Sequence, residues 1–109
     1  MSNQRIIVLI TTPNQEVAHQ IASRLVEKQL AACGNIVPNI HSIFHWQGEV
    51  QQEEEALLIL KTRPELLHTH LIPEVKALHP YTTPEIITLP ILDGSSDYLE
   101  WIDQLTQPK

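Results

Sequence analysis

The stretch Ala31–Trp46, AACGNIVPNIHSIFHW, passes through Gln47-Gly48 into Glu49–Thr62, EVQQEEEALLILKT, and its reading decides the fold. Ile36, Ile40, Ile43, Phe44 and Trp46 give the first segment β character, because branched and aromatic side chains suit a pleated surface. Gly34 and Pro38 interrupt it. Pro38 cannot donate to a ladder, so it marks a bulge, a bend or an edge. Gln47-Gly48 is a tight-turn signal. The second segment starts polar and ends strongly apolar, as a strand returning into a core does. The two segments predict one long β-hairpin.

That hairpin is too long for its domain. The sixteen residues of Ala31–Trp46 span roughly 50 Å if extended at about 3.3 Å each. A compact chain of this length has a radius of gyration of about 13 Å and is only about 35 Å across. The hairpin must overhang even with a bend at Pro38, and its tip carries Phe44 and Trp46. Exposed strand edges and aromatic side chains invite pairing with another subunit. A closed ring buries such overhangs in every copy at once, which predicts a homo-oligomer, a homotrimer first of all.

Outward from the hairpin the remaining elements fall into place. Arg5–Thr11, RIIVLIT, is a short apolar run that suits a buried strand. Thr12-Pro13-Asn14-Gln15 reads as a helix start, with Thr12 as cap and Gln15 completing a capping box. Val17, Ala18, Ile21, Ala22, Leu25 and Val26 then recur at helical spacing. After the hairpin, Thr62-Arg63-Pro64-Glu65 repeats the capping pattern. A second helix is predicted to about Leu78, with Leu67, Leu71, Val75 and Leu78 inward and a kink or restart at Pro73. His79–Glu85 is a proline-stiffened loop, and Ile86–Ile91 is a fourth strand. Asp93-Gly94-Ser95-Ser96 caps a last helix facing inward with Tyr98, Trp101, Ile102 and Leu105. The order predicts an α+β fold of residues 1–109 as a single domain. It is the ferredoxin-like, split β-α-β-β-α-β antiparallel sheet, with two helices on one face and an extra C-terminal helix.

Composition narrows the function. The 109 residues are 42% hydrophobic and carry a formal net charge of −6. Seven Lys and Arg residues are scattered, which argues against nucleic acid, whose phosphates need a dense cationic face. No window resembles a membrane span, and Met1–Arg5 lacks a signal-peptide layout. One cysteine, Cys33, excludes an intrachain disulfide and suits a reducing compartment, so a cytoplasmic location is expected. There is no P-loop, no GxGxxG and no nucleophile elbow, and Cys33 has no evident His partner. An enzyme is not expected. Eight prolines and three glycines restrict the unfolded chain. Tight assembly adds stability by mass action. A thermostable protein is expected, with a melting temperature that rises with concentration.

Several segments together resemble the CutA family of divalent-cation tolerance proteins. They are Thr12-Pro13, Leu30-Ala31-Ala32-Cys33 with Asn35-Ile36-Val37-Pro38, and Trp46-Gln47-Gly48. Further on come Ile59-Leu60-Lys61-Thr62, His79-Pro80-Tyr81 with Pro84-Glu85, Leu89-Pro90-Ile91, and Tyr98-Leu99 with Trp101. The resemblance covers about Val8 to Leu105. It implies a ferredoxin-like protomer in a tight trimer, a link to copper and other divalent metals, and no catalysed reaction. It also implies a likeness to PII signalling trimers, whose clefts between subunits bind small ligands. Gly34 stands where family members usually carry a larger residue, which implies a looser strand there. Leu78 replaces one histidine of a doublet that some members have before Pro-Tyr, and Ile10 replaces a first-strand cysteine.

The chemistry-bearing residues divide accordingly. His41 and His45 share a strand face but lie about 13 Å apart, too far to share one metal. His68 and His70 diverge on a helix, and His19 lies on the polar face of the first helix. These five read as surface. His79, in the stiff loop where the resemblance falls, is the candidate ligand for Cu(II) or another divalent metal, with a further ligand from a neighbouring subunit. Cys33 is the second metal candidate, against the plainer reading of a small buried hydrophobe. No metal is expected to be required for folding. Glu53, Glu54 and Glu55 alternate, with Glu53 and Glu55 on one face. Two functions remain open. One is a trimeric protein that binds divalent metal, copper above all, and serves tolerance of metal ions. The other is a PII-like trimeric sensor or scaffold. It takes a small molecule or a protein in subunit clefts lined by Trp46, Glu53, Lys61, Tyr81 and Glu85.

Overall fold

The computed structural model describes residues 4–108. The Met1–Asn3 start, read above as lacking a signal-peptide layout, lies outside the described residues. The elements run β1 (Arg5–Thr12), α1 (Gln15–Glu27), β2 (Cys33–Trp46), β3 (Glu49–Thr62), α2 (Ile72–Leu78), β4 (Ile86–Ile91) and α3 (Ser96–Gln104). The four strands form one sheet in the order β2-β3-β1-β4. Every pairing is antiparallel. This is the split βαβ arrangement with the extra C-terminal helix, as the sequence predicts.

The hairpin sets the shape. β2 and β3 are 14 residues each, against 8 for β1 and 6 for β4. Their ladder therefore runs on past the end of β1, and the molecule measures 45 × 27 × 22 Å. The register shifts between Val37 and Ile40, with Asn39 at φ 60°. Pro38 is thus a bulge, with asparagine taking the left-handed conformation it tolerates best after glycine. At the tip, Gln47 (φ 52°) and Gly48 (φ 80°) both have positive φ, the arrangement that matches strand twist in a two-residue hairpin turn.

One sheet face is covered by α1 and α2. Val8, Ile10, Leu58 and Leu60 meet Ala18, Ile21, Leu25, Leu71 and Val75 there, and all are fully buried. Gly34 belongs to this face. A Cβ on Gly34 would sit 3.1 Å from both Ala22 Cβ and Leu60 Cδ2. The glycine therefore lets α1 close onto the edge strand. It tightens the strand there, and the looser strand expected at this position is corrected. On the other face Ile87, Leu9 and Ile59 stand directly opposite one another across three strands. Ile87 and Leu89 are exposed. Among the described helices α3 packs near this face, at the end where Tyr98 Oη lies 3.6 Å from Cys33 Sγ. Arg5 pairs with Asp103, and Arg63 Nε donates to Thr106 Oγ1 at 2.8 Å.

Local details depart from the expected pattern where two residues compete for one task. β1 runs on through Thr12, so Asn14 caps α1, its side chain accepting from the Val17 N–H at 2.9 Å. The capping box at Thr62 does not form. The Thr62 hydroxyl instead donates to the Leu30 carbonyl at 2.7 Å in the core. Before α2 the chain makes a 3-10 turn (Pro64–Leu66) and a π-helical turn (Leu67–Leu71). Pro73 lacks an N–H and sits in the first turn of α2, where none is needed. The restart expected at Pro73 is therefore present.

Candidate functional site

The loop His79–Glu85 is folded back under the end of β1. His79 caps α2, its N–H donating to the Val75 carbonyl at 2.8 Å. The residue is 7% exposed. Nε2 lies 2.8 Å from the Thr11 carbonyl, which can only accept, and Nδ1 lies 3.1 Å from the Tyr81 N–H, which can only donate. The ring is therefore the neutral Nε2–H tautomer, with its single lone pair already engaged. His79 holds the loop to β1. The expectation of a metal ligand at His79 meets a ring with no free nitrogen, so metal capture would have to break an internal hydrogen bond.

The locked His79 aims Tyr81. Its ring packs at 4.7 Å from the His79 ring, and its hydroxyl donates to Glu55 Oε2 at 2.8 Å. β1 ends at Thr12, opposite Ala56. Glu55 is thus the first residue of β3 without a β1 neighbour, and Tyr81 takes the vacant side. The Tyr81 phenol is pushed up to about 12, first by burial, then by the hydrogen bond to Glu55 and the charges of Glu55 and Glu53. It stays a hydrogen-bond donor at neutral pH.

Around this pair lies an open cleft of about 840 Å³. Phe44 and Trp46 come from β2, Glu53 and Glu55 from β3, and Tyr81 and Glu85 from the loop. The strand parity predicted for Glu53 and Glu55 holds, and Glu54 faces away. Trp46, Glu53, Tyr81 and Glu85, four of the five residues expected in a cleft between subunits, line this cleft within one chain. Lys61 does not. It lies at the far end of β3, where its ammonium contacts Asn35 Oδ1 and stands 3.5 Å from Cys33 Sγ. Within one chain a strand separation of eight residues, roughly 26 Å, keeps it from Glu53. Sequence reasoning put Glu53 and Glu55 on one strand face and named only Glu53 as cleft lining. The available signal for Glu55 was its place at the border of the polar and apolar halves of β3.

Cys33 is half-buried at the start of β2. Its contact with Tyr98 raises that phenol, ahead of burial. Neither reading of Cys33 gains a metal cluster: among the described residues no three His, Cys, Asp or Glu side chains converge on a point that could hold an ion. His19, His41, His45, His68 and His70 lie on the surface or at its margin. A second cavity of about 650 Å³ lies between the end of α1 and the start of α2. Its carboxylate Glu74 already pairs with Lys28, which holds it below the usual carboxylate range.

The sequence pattern of the CutA1 divalent ion tolerance proteins matches residues 6–105. The chain belongs to this family. It is 53% identical over 104 residues to the divalent-cation tolerance protein CutA of Thermus thermophilus, covering 92% of this chain and 96% of that one. It is 48% identical over 102 residues to the chloroplastic CutA of Arabidopsis thaliana, covering 94% of this chain. There it spans 56% of the relative, little more than half its length. Among solved structures, the CutA1 of Thermus thermophilus superposes with a TM-score of 0.91 at 51% identity, over 94% of this chain and 99% of that chain. The CutA1 of Oryza sativa gives 0.93 at 44% identity, over 99% and 100%. A CutA structure from Archaeoglobus fulgidus, described as periplasmic, gives 0.90 at 45% identity, over 94% and 99%. No helix among the described residues is long and apolar enough to cross a membrane.

Proposed function

We propose that this chain serves tolerance of divalent ions as a cytoplasmic homotrimer that is not an enzyme and that responds through a ligand cleft at each hairpin. Family membership supports the link to metal tolerance. The observation that carries the rest is the outer half of the hairpin. It projects beyond both helices with Ile43 69% and Trp46 58% exposed, and it forms one wall of the Tyr81 cleft. The row Ile87, Leu9 and Ile59 adds a second apolar surface that the chain's own α1 and α2 leave open. A ring of three copies buries both surfaces in every subunit. A closed ring also brings a neighbour's residues to the cleft, which is where Lys61 could join it.

In this reading the clefts are the working part, and one chain alone does not chelate copper. The donor set of the described residues does not fit Cu(II) in a single chain: His79 has no free nitrogen, and no three donors converge among them. Cys33, partly exposed beside Lys61, is the soft donor that remains for copper or another divalent metal, with further ligands from a neighbouring copy.

Native mass spectrometry and copper-tolerance assays in cells test the proposal together. The expected results are a trimer at micromolar concentration, Cu(II) affinity unaltered by His79→Ala, and reduced tolerance in a Trp46→Ala, Tyr81→Phe variant that remains trimeric. A monomer would overturn the assembly. Stoichiometric copper lost on His79→Ala would restore His79 as a ligand. Unaltered tolerance in the cleft variant would remove the cleft from the function.

A further inference from the structure

We propose that the Asp93-Gly94 turn is a covalent modification site, where the peptide bond migrates from the main-chain carbonyl of Asp93 to its side-chain carbonyl and leaves an isoaspartyl linkage. The turn joins β4 to α3. Leu92, Asp93, Gly94 and Ser95 belong to no strand or helix, and all four are exposed. The Gly94 N–H donates to Asp93 Oδ1 at 2.8 Å. It is therefore taken up by its neighbour's carboxylate and by no backbone partner. Oδ1 is one C–O bond, about 1.2 Å, from Cγ, which keeps the Gly94 nitrogen within about 4 Å of that carbon. Attacking nitrogen and acceptor carbon are thus held close to the separation of a reacting pair. Glycine adds access: no Cβ stands beside the nitrogen, and the backbone is freest there.

The step balances with water alone. The Gly94 nitrogen gives its proton to solvent and bonds to Cγ of the protonated carboxyl, and a Cγ–O bond breaks with loss of water. The product is a cyclic imide spanning Asp93 and Gly94. Water then adds to one of its two carbonyls. Addition at Cγ restores aspartate. Addition at the Asp93 main-chain carbonyl breaks that carbon's bond to nitrogen and leaves Gly94 joined through Cγ. Nothing is oxidised or reduced, and the mass returns to that of the starting chain. Asp97 and Asp103 lack these conditions, since both lie in α3 and neither precedes glycine. The Tyr98 N–H is turned to Ser95 Oγ, and Asp103 pairs with Arg5. Asn35 and Asn39, whose amides close the same ring, precede isoleucines in β2. The extra methylene at Asp93 falls just ahead of Ser95, which caps α3. The Arg5–Asp103 pair and buried Ile102 still anchor that helix, so the change reaches the helix start and not the core.

Ageing the intact protein at physiological temperature and near-neutral pH tests this. Samples are labelled with an isoaspartyl methyltransferase and a radiolabelled methyl donor, and the labelled peptide is located by mass spectrometry. The expected result is labelling that grows with time at Asp93. Its rate should lie within about tenfold of that of the same peptide cut from the chain, because the folded turn already holds the reacting groups together. Asp93→Glu lengthens the ring and Gly94→Ala hinders the nitrogen, and each should slow labelling at least about tenfold by spoiling that geometry. Both variants should fold. Asp93 is exposed, Gly94 is not in the left-handed region, and a Cβ on it meets Leu99 Cδ2 at an ordinary 3.4 Å. An intact protein that stays unlabelled while the freed peptide labels would show that the fold protects the turn, and would overturn the inference. Labelling of Gly94→Ala as fast as the wild type, or of Asp97 and Asp103 as fast as Asp93, would also overturn it, since the reaction would then not depend on this turn.

Discussion

The inner and outer halves of the β2–β3 hairpin share one ladder and differ in everything that holds it. In the inner half, Gly34 and Ile36 face Leu60 and Leu58, and α1 lies on top. In the outer half, Ile43 faces Gln52 and His45 faces Val50, with no helix on either side. Backbone hydrogen bonding is continuous through both, apart from the bulge at Val37–Ile40. The ladder alone therefore does not distinguish a structural strand from a functional one; what covers it does. An isolated two-stranded ribbon is marginal in water. The outer half has no such cover from the chain's own helices, and the proposed trimer and ligand cleft are what would supply it.

The largest expected effect lies in the inner half. Leu58→Ala removes a fully buried side chain between β1, β2 and α1. It should cost about 2–5 kcal/mol, the range for such truncations in cores that relax only partly. Urea unfolding at constant m-value is the measurement. A cost under about 1 kcal/mol would mean that the inner half is not the anchor it is taken for here.

Gly34→Val comes next. The new Cβ meets Ala22 Cβ and Leu60 Cδ2 at 3.1 Å, and the extra methyls have nowhere to go. Overpacking of this kind costs about 1–3 kcal/mol. The same substitution at an outer-half position such as Ser42 should be far milder, and the pair of variants measures the difference between the halves directly. No loss at Gly34 would show that α1 can shift away from the edge strand.

Much of this contrast was legible in the sequence. Pro38 and Gln47-Gly48 carry local backbone signals that do not depend on the rest of the fold, and both the bulge and the turn lie where those residues put them. The overhang followed from length alone. The N-cap of α1 was less legible, because Thr12 and Asn14 are both competent caps and β1's pairing with Ala56 decides between them. Thr62 was misread as a cap for a similar reason: a buried carbonyl, Leu30, competes for its hydroxyl. The site was half legible. Strand parity put Glu53 and Glu55 together, but the Glu55–Tyr81 contact depends on how far β1 reaches and on His79 tying the loop to Thr11. His79 looked like a ligand because a stiff loop and an imidazole suit one. The same stiffness comes from its ring nitrogens being spent on the backbone. Lys61 was expected in a cleft between subunits; within one chain strand length keeps it from Glu53, and a neighbouring copy's Lys61 is a matter for the assembly.

Tyr81→Phe tests the border between the halves, with a smaller effect. Tyr81 is 37% exposed, so water screens the loss, and the expected cost at neutral pH is below about 1 kcal/mol. The pH profile is more telling. The phenol titrates at 10.0 when unperturbed and at about 12 in the fold. Below 10 both states keep the proton. Between 10 and 12 the unfolded chain releases it and the folded chain does not, so stability falls as pH rises through that window. Tyr81→Phe should lack this part of the slope, read as the difference between the two unfolding curves. Parallel curves would mean that the Glu55 contact does not hold the phenol's proton.

The smallest effect on the fold is expected where the largest effect on assembly is proposed. Ile43 and Val50 lie on one face of the outer half and are 69% and 61% exposed. Replacing both with serine removes little that a single chain buries, so the stability of the isolated protomer should move by no more than about 0.5 kcal/mol per site. If the outer half is held by a second copy, those side chains are interface, and their loss should shift the trimer toward monomer at micromolar concentration. The melting temperature of the wild type should rise with concentration, and that of the double variant should rise less over the same range. Sedimentation and the far-ultraviolet spectrum separate the two halves of the prediction: mass falls while secondary structure stays. A trimer that survives both serines would place the seam on the open sheet face instead. The row of Ile87, Leu9 and Ile59 would then carry the assembly, and the outer hairpin would be left to the ligand alone.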